Sequence, residues 1–175
     1  MRFLTPDVHF PDVYCITPDY LNGKGIKALV FDIDNTLVTY GTEYPTDKVK
    51  AFLSSLSDCG FGITIASNNH ENRVDRFCRE LNVFYTFESG KPSKKCVRLS
   101  CEKFGIGPGE VAVVGDQLFT DVWCAKNSGA FAIHVTPLKC RESSFIRFKR
   151  VLERPILKSY RHNHPEEFAA EEDQQ

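Results

Sequence analysis

Ala28-Leu29-Val30-Phe31-Asp32-Ile33-Asp34-Asn35-Thr36-Leu37 is the stretch around which the rest of this chain is organised. Its four apolar residues, with Gly25 upstream and carboxylates downstream, suit a strand buried on both faces better than a helix. Side chains alternate along an extended chain, so Asp32 and Asp34 point the same way at the strand's C-terminal end while Ile33 packs inward. Two carboxylates this close repel unless something positive lies between them. Mg²⁺ is the natural candidate, because it takes hard oxygen ligands and leaves room for water and a substrate phosphate.

Downstream, apolar periodicity alternates between the helical and the extended kind. A helix is expected over Thr46–Cys59, with Val49, Phe52, Leu53 and Leu56 on its apolar face and Gly60 ending it. Phe61–Ala66 reads as a strand, and a helix from about Glu71 precedes a strand at Val83–Thr86. Gly90-Lys91-Pro92-Ser93 opens a further helix that Gly105 stops, and Val111–Val114 is a strand running into Gly115-Asp116. A last helix closing at Gly129 leads to the strand Phe131–Val135. Alternating strands and helices predict an α/β fold, a Rossmann-like five-stranded parallel sheet with helices on both faces. Ligands of such sheets bind at the C-terminal strand ends. Residues 1–25 are expected to be an arm packed on the core, residues 26–160 the domain, and residues 161–175 a disordered acidic tail.

Composition narrows the class. A chain of 175 residues with 42% hydrophobic content makes one domain with a substantial core, and a net charge of −1 gives no reason to expect nucleic acid as a partner. Seven cysteines without a C-x-x-C pair read as reduced, and zinc is not expected. No apolar run has the length of a membrane span and the first residues lack a signal-peptide core, so a cytoplasmic protein is expected.

Later strands deliver complementary groups to the edge where Asp32 lies. Ser67, beside Asn68, is either a hydroxyl donor at an anion-holding helix start or a simple cap. Lys91, in a Lys-Pro turn, can neutralise phosphate oxygens or hold a carboxylate in place. Asp116 and Asp121 add carboxylate for a metal, although acidic residues also open helices for dipole reasons.

Together, Asp32-Ile33-Asp34-Asn35-Thr36, Ser67, Lys91 and Asp116/Asp121 resemble the four motifs of the haloacid dehalogenase (HAD) superfamily in its phosphatase form, in order, from about Ala28 to Val135. The resemblance implies that Asp32 is a nucleophile carrying an aspartyl-phosphate and Asp34 the acid and base. It implies Mg²⁺ held by Asp32, the Asp34 carbonyl, Asp116 and Asp121, and phosphoryl oxygens held by Ser67, Asn68, Lys91 and the amides after Asp32, with Thr36 bracing the loop. No cap domain has room after the first motif or between the second and third. The fourth motif and Leu152-Glu153-Arg154-Pro155 are similar to the YqeG-type subclass IIIA family, which is similar to phosphatidylglycerophosphate phosphatases. A phospholipid phosphatase is the substrate class this implies, and a soluble phosphomonoester or a phosphoprotein is the alternative. A receiver domain would lack the second carboxylate of the first motif; a non-catalytic phosphate- or Mg²⁺-binding module is the other competing class.

The basic stretch near the C-terminus carries one further expectation. In a helix over Ser144–Arg154, Phe145, Phe148 and Leu152 share one face and Arg147, Arg150 and Arg154 the roughly opposite one. Either the aromatic face docks on the sheet with the arginines solvated, or the arginines meet anionic head groups at the inner face of a membrane.

Overall fold

The computed structural model describes residues 2–138 and 144–169; Cys140, Arg141 and the end of the acidic tail, 170–175, lie outside the described residues. The elements follow in order: β1 (Val8–Phe10), α1 (Pro18–Gly23), β2 (Ala28–Phe31), α2 (Asp47–Asp58), β3 (Gly62–Ala66), α3 (Glu71–Cys78) and β4 (Phe84–Thr86). Then come α4 (Lys95–Phe104), β5 (Val111–Gly115), α5 (Trp123–Ser128), β6 (Phe131–Val135) and α6 (Ser144–Asn163).

β2 lies inside the sheet, with all four residues buried, as a strand covered on both faces must be. The strand order is β1-β6-β5-β2-β3-β4, and every pairing is parallel. From β2 the chain builds outward through β3 and β4, then returns through α4 to β5 on the other side. That reversal opens a crevice at the carboxyl end of β2, where Asp32 follows. Alternation divides the core: Leu29, Phe31, Ile63 and Ile65 pack on α2 and α3 residues, whereas Val30, Val111 and Val113 pack with Cys96, Val97 and Cys124 of α4 and α5. α2 starts where Thr46 accepts a hydrogen bond from the Val49 amide, and Gly60 (φ 91°) turns the chain out of it.

The sheet has six strands among the described residues, one more than expected. β1 comes from the presumed arm and pairs with β6 in register Val8↔Ile133 and Phe10↔Val135. Asp7 fixes that register by accepting from the Ala132 amide at 2.8 Å. The tail differs too: Pro165–Phe168 forms a 3-10 turn in which Phe168 is buried and stacks on His9 at 4.0 Å. Glu167 accepts from the His9 amide and from the Tyr160 hydroxyl, each at 2.7 Å. The C-terminal segment therefore closes over the edge strand instead of trailing from it.

α6 runs through Pro155 and turns its aromatics the other way from the expected docking. Phe145 and Phe148 are exposed, and it is Glu153 and Tyr160 that are buried. Arg150 also faces inward, correcting its placement with Arg147 and Arg154 on a solvent or membrane face; those two are exposed. No helix among the described residues is long and apolar enough to cross a membrane. Between Val38 and Phe61 there is a loop and α2, and between Asn68 and Gly90 α3 and β4, so neither interval holds a cap.

Gly115, last residue of β5, is required by a close approach. A Cβ there would stand 2.2 Å from Asp121 Cγ, so any side chain displaces that carboxylate. Gly115→Ala should cost about 2 kcal/mol in denaturant unfolding, whereas Gly109→Ala, with open space around it, should be near neutral. Equal effects would contradict the close packing. Phe168→Ala should cost about 2–3 kcal/mol and lower Tm by about 5–10 °C; an unchanged melt would mean that the terminal turn is not part of the fold.

Candidate active site

Asp32 directly follows β2, its amide donating to Val114 O at 3.0 Å so that the ladder continues through it. The chain then reverses tightly: the amides of Leu37 and Val38 both donate to Ile33 O, at 3.0 and 3.1 Å. Asn35 holds φ 64° and its side chain accepts from the Tyr40 amide at 3.1 Å. Asparagine tolerates that left-handed conformation and caps a turn locally, which explains its place between the second aspartate and the threonine.

The buried centre is Lys91. Its Nζ lies 2.5 Å from Asp32 Oδ1 and 2.7 Å from Asp121 Oδ1. Lys91 Nζ is the group that faces Asp121 Oδ1 in this buried site. Asp121 Oδ2 accepts from the Gln117 amide at 3.2 Å and Thr120 Oγ1 at 3.1 Å. Asp116 accepts from Thr36 Oγ1 at 3.2 Å and pairs with Arg150, which also donates to the Asp116 carbonyl.

One oxygen each from Asp32, Asp116 and Asp121 lies within 4.8 Å of the others, all three residues buried. This hard, anionic donor set suits a divalent cation that prefers oxygen. Three carboxylates against two cations, Lys91 and Arg150, also leave the cluster negative. Burial pushes the Asp32 carboxyl up, Lys91 pulls it back, and Asp121 and Asp116 push it further up. Burial likewise raises Asp116, to about 6, against the pull of Arg150. For Lys91, burial works against the ammonium, but Asp121 and Asp32 outweigh it and hold the amine protonated above its ordinary value.

Asp34 stands apart from this trio. Its carboxylate accepts from Asn69 Nδ2 at 2.6 Å and pairs with Arg73 at 3.1 Å, half-buried at the mouth of the site. Its side chain is thus outside the carboxylate cluster that could hold a metal, for which the resemblance implied only its backbone carbonyl. Ser67 is buried and its Oγ accepts from the Asn69 amide at 3.1 Å, an arrangement that leaves its hydroxyl proton to donate.

Asn68 does something other than expected. Its Oδ1 accepts from the Lys91 amide at 2.8 Å and Ser89 Oγ at 2.9 Å, and its Nδ2 donates to Lys91 O at 3.1 Å. The side chain clamps the backbone that presents Lys91. Thr36, expected to brace the loop, donates from Oγ1 to Asp116 Oδ1. Sequence reasoning missed Asn69, Arg73, Arg150 and Glu153. Asn69 and Arg73 both reach the Asp34 carboxylate, but Asn69 precedes the helix, which starts after His70, so no helical spacing announces the pair.

Comparison with known proteins agrees with this architecture. Residues 39–129, just over half of the chain, match the haloacid dehalogenase-like hydrolases. The probable phosphatase YqeG of Bacillus subtilis (strain 168) is 31% identical over 156 residues, 89% of this chain and 91% of that protein. Phosphatidylglycerophosphate phosphatase 1, chloroplastic/mitochondrial, of Arabidopsis thaliana is 27% identical over 172 residues, 91% of this chain; the chain spans about half of that protein's length, 49%. The cobalt-bound deoxy-D-mannose-octulosonate 8-phosphate phosphatase of Haemophilus influenzae matches with a TM-score of 0.53 over 75% of this chain and 89% of that one. At 13% identity that likeness bears on the fold alone. With the parallel sheet, the carboxylate cluster and these relatives in agreement, the chain belongs to the haloacid dehalogenase-like hydrolase family, as an enzyme of its phosphatase type.

Proposed function

We propose that the chain is a Mg²⁺-dependent phosphomonoester hydrolase that works through an aspartyl-phosphate on Asp32. The observation that carries this reading is Lys91, buried between Asp32 and Asp121 with Asp116 alongside, at the carboxyl edge of a parallel sheet.

Asp32 is placed at the strand end to attack phosphorus through a carboxylate oxygen, forming a P–O bond as the bond to the leaving oxygen breaks. Asp34, oriented by Asn69 and Arg73, enters the step in its acid form and gives that proton to the leaving oxygen, becoming a carboxylate. In the second step Asp34 takes a proton from a water that attacks the same phosphorus, and the bond to Asp32 breaks, releasing phosphate. Ser67, Lys91 and the amides after Asp32 hold the phosphoryl oxygens, while Asn68 positions Lys91. Asp32, Asp116, Asp121 and the Asp34 carbonyl would hold Mg²⁺, which when bound neutralises charge on the transferring group.

The substrate class we infer is a phosphate on a lipid head group. Two things support it: the similarity to the Arabidopsis phosphatidylglycerophosphate phosphatase over 91% of this chain, and a site with no cap to exclude a bulky substrate. Residues 26–160 are read as the catalytic unit, with the N-terminal segment and the terminal turn completing its edge.

Asp32→Asn should lower turnover of an aryl phosphate by at least about 1,000-fold without lowering Tm, since a buried carboxylate becomes a near-isosteric amide. Chelator should abolish wild-type activity and Mg²⁺ restore it; full activity in either case would overturn the mechanism. Asp34→Asn should slow an alkyl phosphate far more than an aryl phosphate whose leaving group needs no proton. Equal losses on both substrates would reduce Asp34 to a structural role.

A further inference from the structure

α6 presents three different surfaces. Inward, Glu153 is buried and accepts from the Phe119 amide at 3.2 Å, and Arg150 reaches Asp116. Outward, Phe145, Phe148, Val151 and Leu152 are 70%, 60%, 54% and 47% exposed, a majority of the large exposed apolar residues among those described. At 3.6 residues per turn these four fall on one stripe. Arg147, Arg154 and Lys158, all exposed, fall along one flank of it. The helix has a single acidic residue, Glu153, and it faces inward, so its outer face has no carboxylate of its own to balance the flank.

The segment that leads to α6 leaves the sheet at the same edge as the site. α6 follows the carboxyl end of β6, and the Leu138 amide in the connecting segment donates to Asn35 O at 2.9 Å, within the loop that carries Asp34. The loop leaving β2 exposes Tyr40 and Tyr44, 50% and 55%. An apolar stripe with a basic flank is the makeup of a surface that lies in a lipid–water interface.

We propose that the outer face of α6 is a docking surface for an anionic bilayer: Phe145, Phe148, Val151 and Leu152 enter the interface, and Arg147, Arg154 and Lys158 meet the head groups. A second copy of the chain is a poorer occupant, because pairing the stripe with itself would bring two uncompensated basic flanks together. The surface is distinct from the three-arginine contact expected from sequence, because Arg150 belongs to the site. This inference rests on the lipid-phosphate reading for its purpose, but it is tested by binding alone. Arg150 on Asp116 and the stripe belong to the inward and outward faces of one helix, so the docking helix is itself in contact with the carboxylate cluster.

The test is flotation of the full chain with phosphatidylcholine vesicles, with and without phosphatidylglycerol, at low salt and at about 0.5 M salt. The full chain should float with the anionic vesicles at low salt, and less at high salt. Phe145→Ser/Phe148→Ser should weaken that binding about tenfold or more, with the melting temperature and aryl phosphate turnover unchanged. Arg147→Gln/Arg154→Gln should remove the preference for anionic vesicles. The proposal is overturned by a wild-type chain that does not float with anionic vesicles, or by binding that both pairs leave untouched. It is also overturned if sedimentation shows a dimer that the serine pair dissolves, which would make a second copy the occupant. Loss of aryl turnover in Asp32→Asn is a separate readout, so failure of docking and failure of the phosphatase chemistry are told apart.

Discussion

A single buried ammonium, Lys91, holds the centre of this molecule together. Taking a lysine and two aspartates out of water costs several kcal/mol per ion, and the cost is offset only where the charges meet at contact distance. Lys91 meets that condition with Asp32 on one side and Asp121 on the other. Because Asp32 follows β2 and Asp121 follows β5, the contact ties together the ends of two paired strands at the edge where the chemistry lies. Removing the lysine would leave two buried carboxylates facing each other, a worse state than losing all three charges.

Around that contact the supporting residues act on one another. Asn68 holds the backbone of Lys91, Thr36 and Arg150 hold Asp116, and Asn69 with Arg73 hold Asp34. A second chain of contacts runs from the site to the molecular edge: His134 Nε2 lies 3.2 Å from Asp116 O, His134 Nδ1 lies 2.9 Å from His9 Nδ1, and His9 stacks on Phe168. Burial, reinforced by His9 and Arg150, pushes His134 down to about 3, so the ring is neutral in this network. Phe168 and Arg150 thereby connect the C-terminal segment to the same aspartate from two directions.

Most of the sheet was legible because its strands are short apolar runs bounded by glycine or carboxylate, as at Ala28–Phe31 and Val111–Gly115. β1 was not, since a three-residue strand with His9 at its centre lacks the apolar run by which strands are read. The carboxylates and Lys91 were legible as types at strand ends, but their partners were not: nothing local in Ser67-Asn68-Asn69 says that one amide turns to the lysine backbone and its neighbour to Asp34. In α6 periodicity gave the faces but not which face docks. Glu153 was the neglected clue, because its burial between Phe119 and Arg150 turns the helix the other way round.

The claim that Asp32 is the nucleophile held by Lys91 has a direct physical test. The protein is quenched in acid during turnover of a phosphomonoester in Mg²⁺, and its peptides are weighed by mass spectrometry. The account predicts a phosphoryl group on Asp32, accumulating within the first turnover and absent from Asp32→Asn. A phosphoryl group on any other residue, or product released with Asp32 never modified, would contradict it.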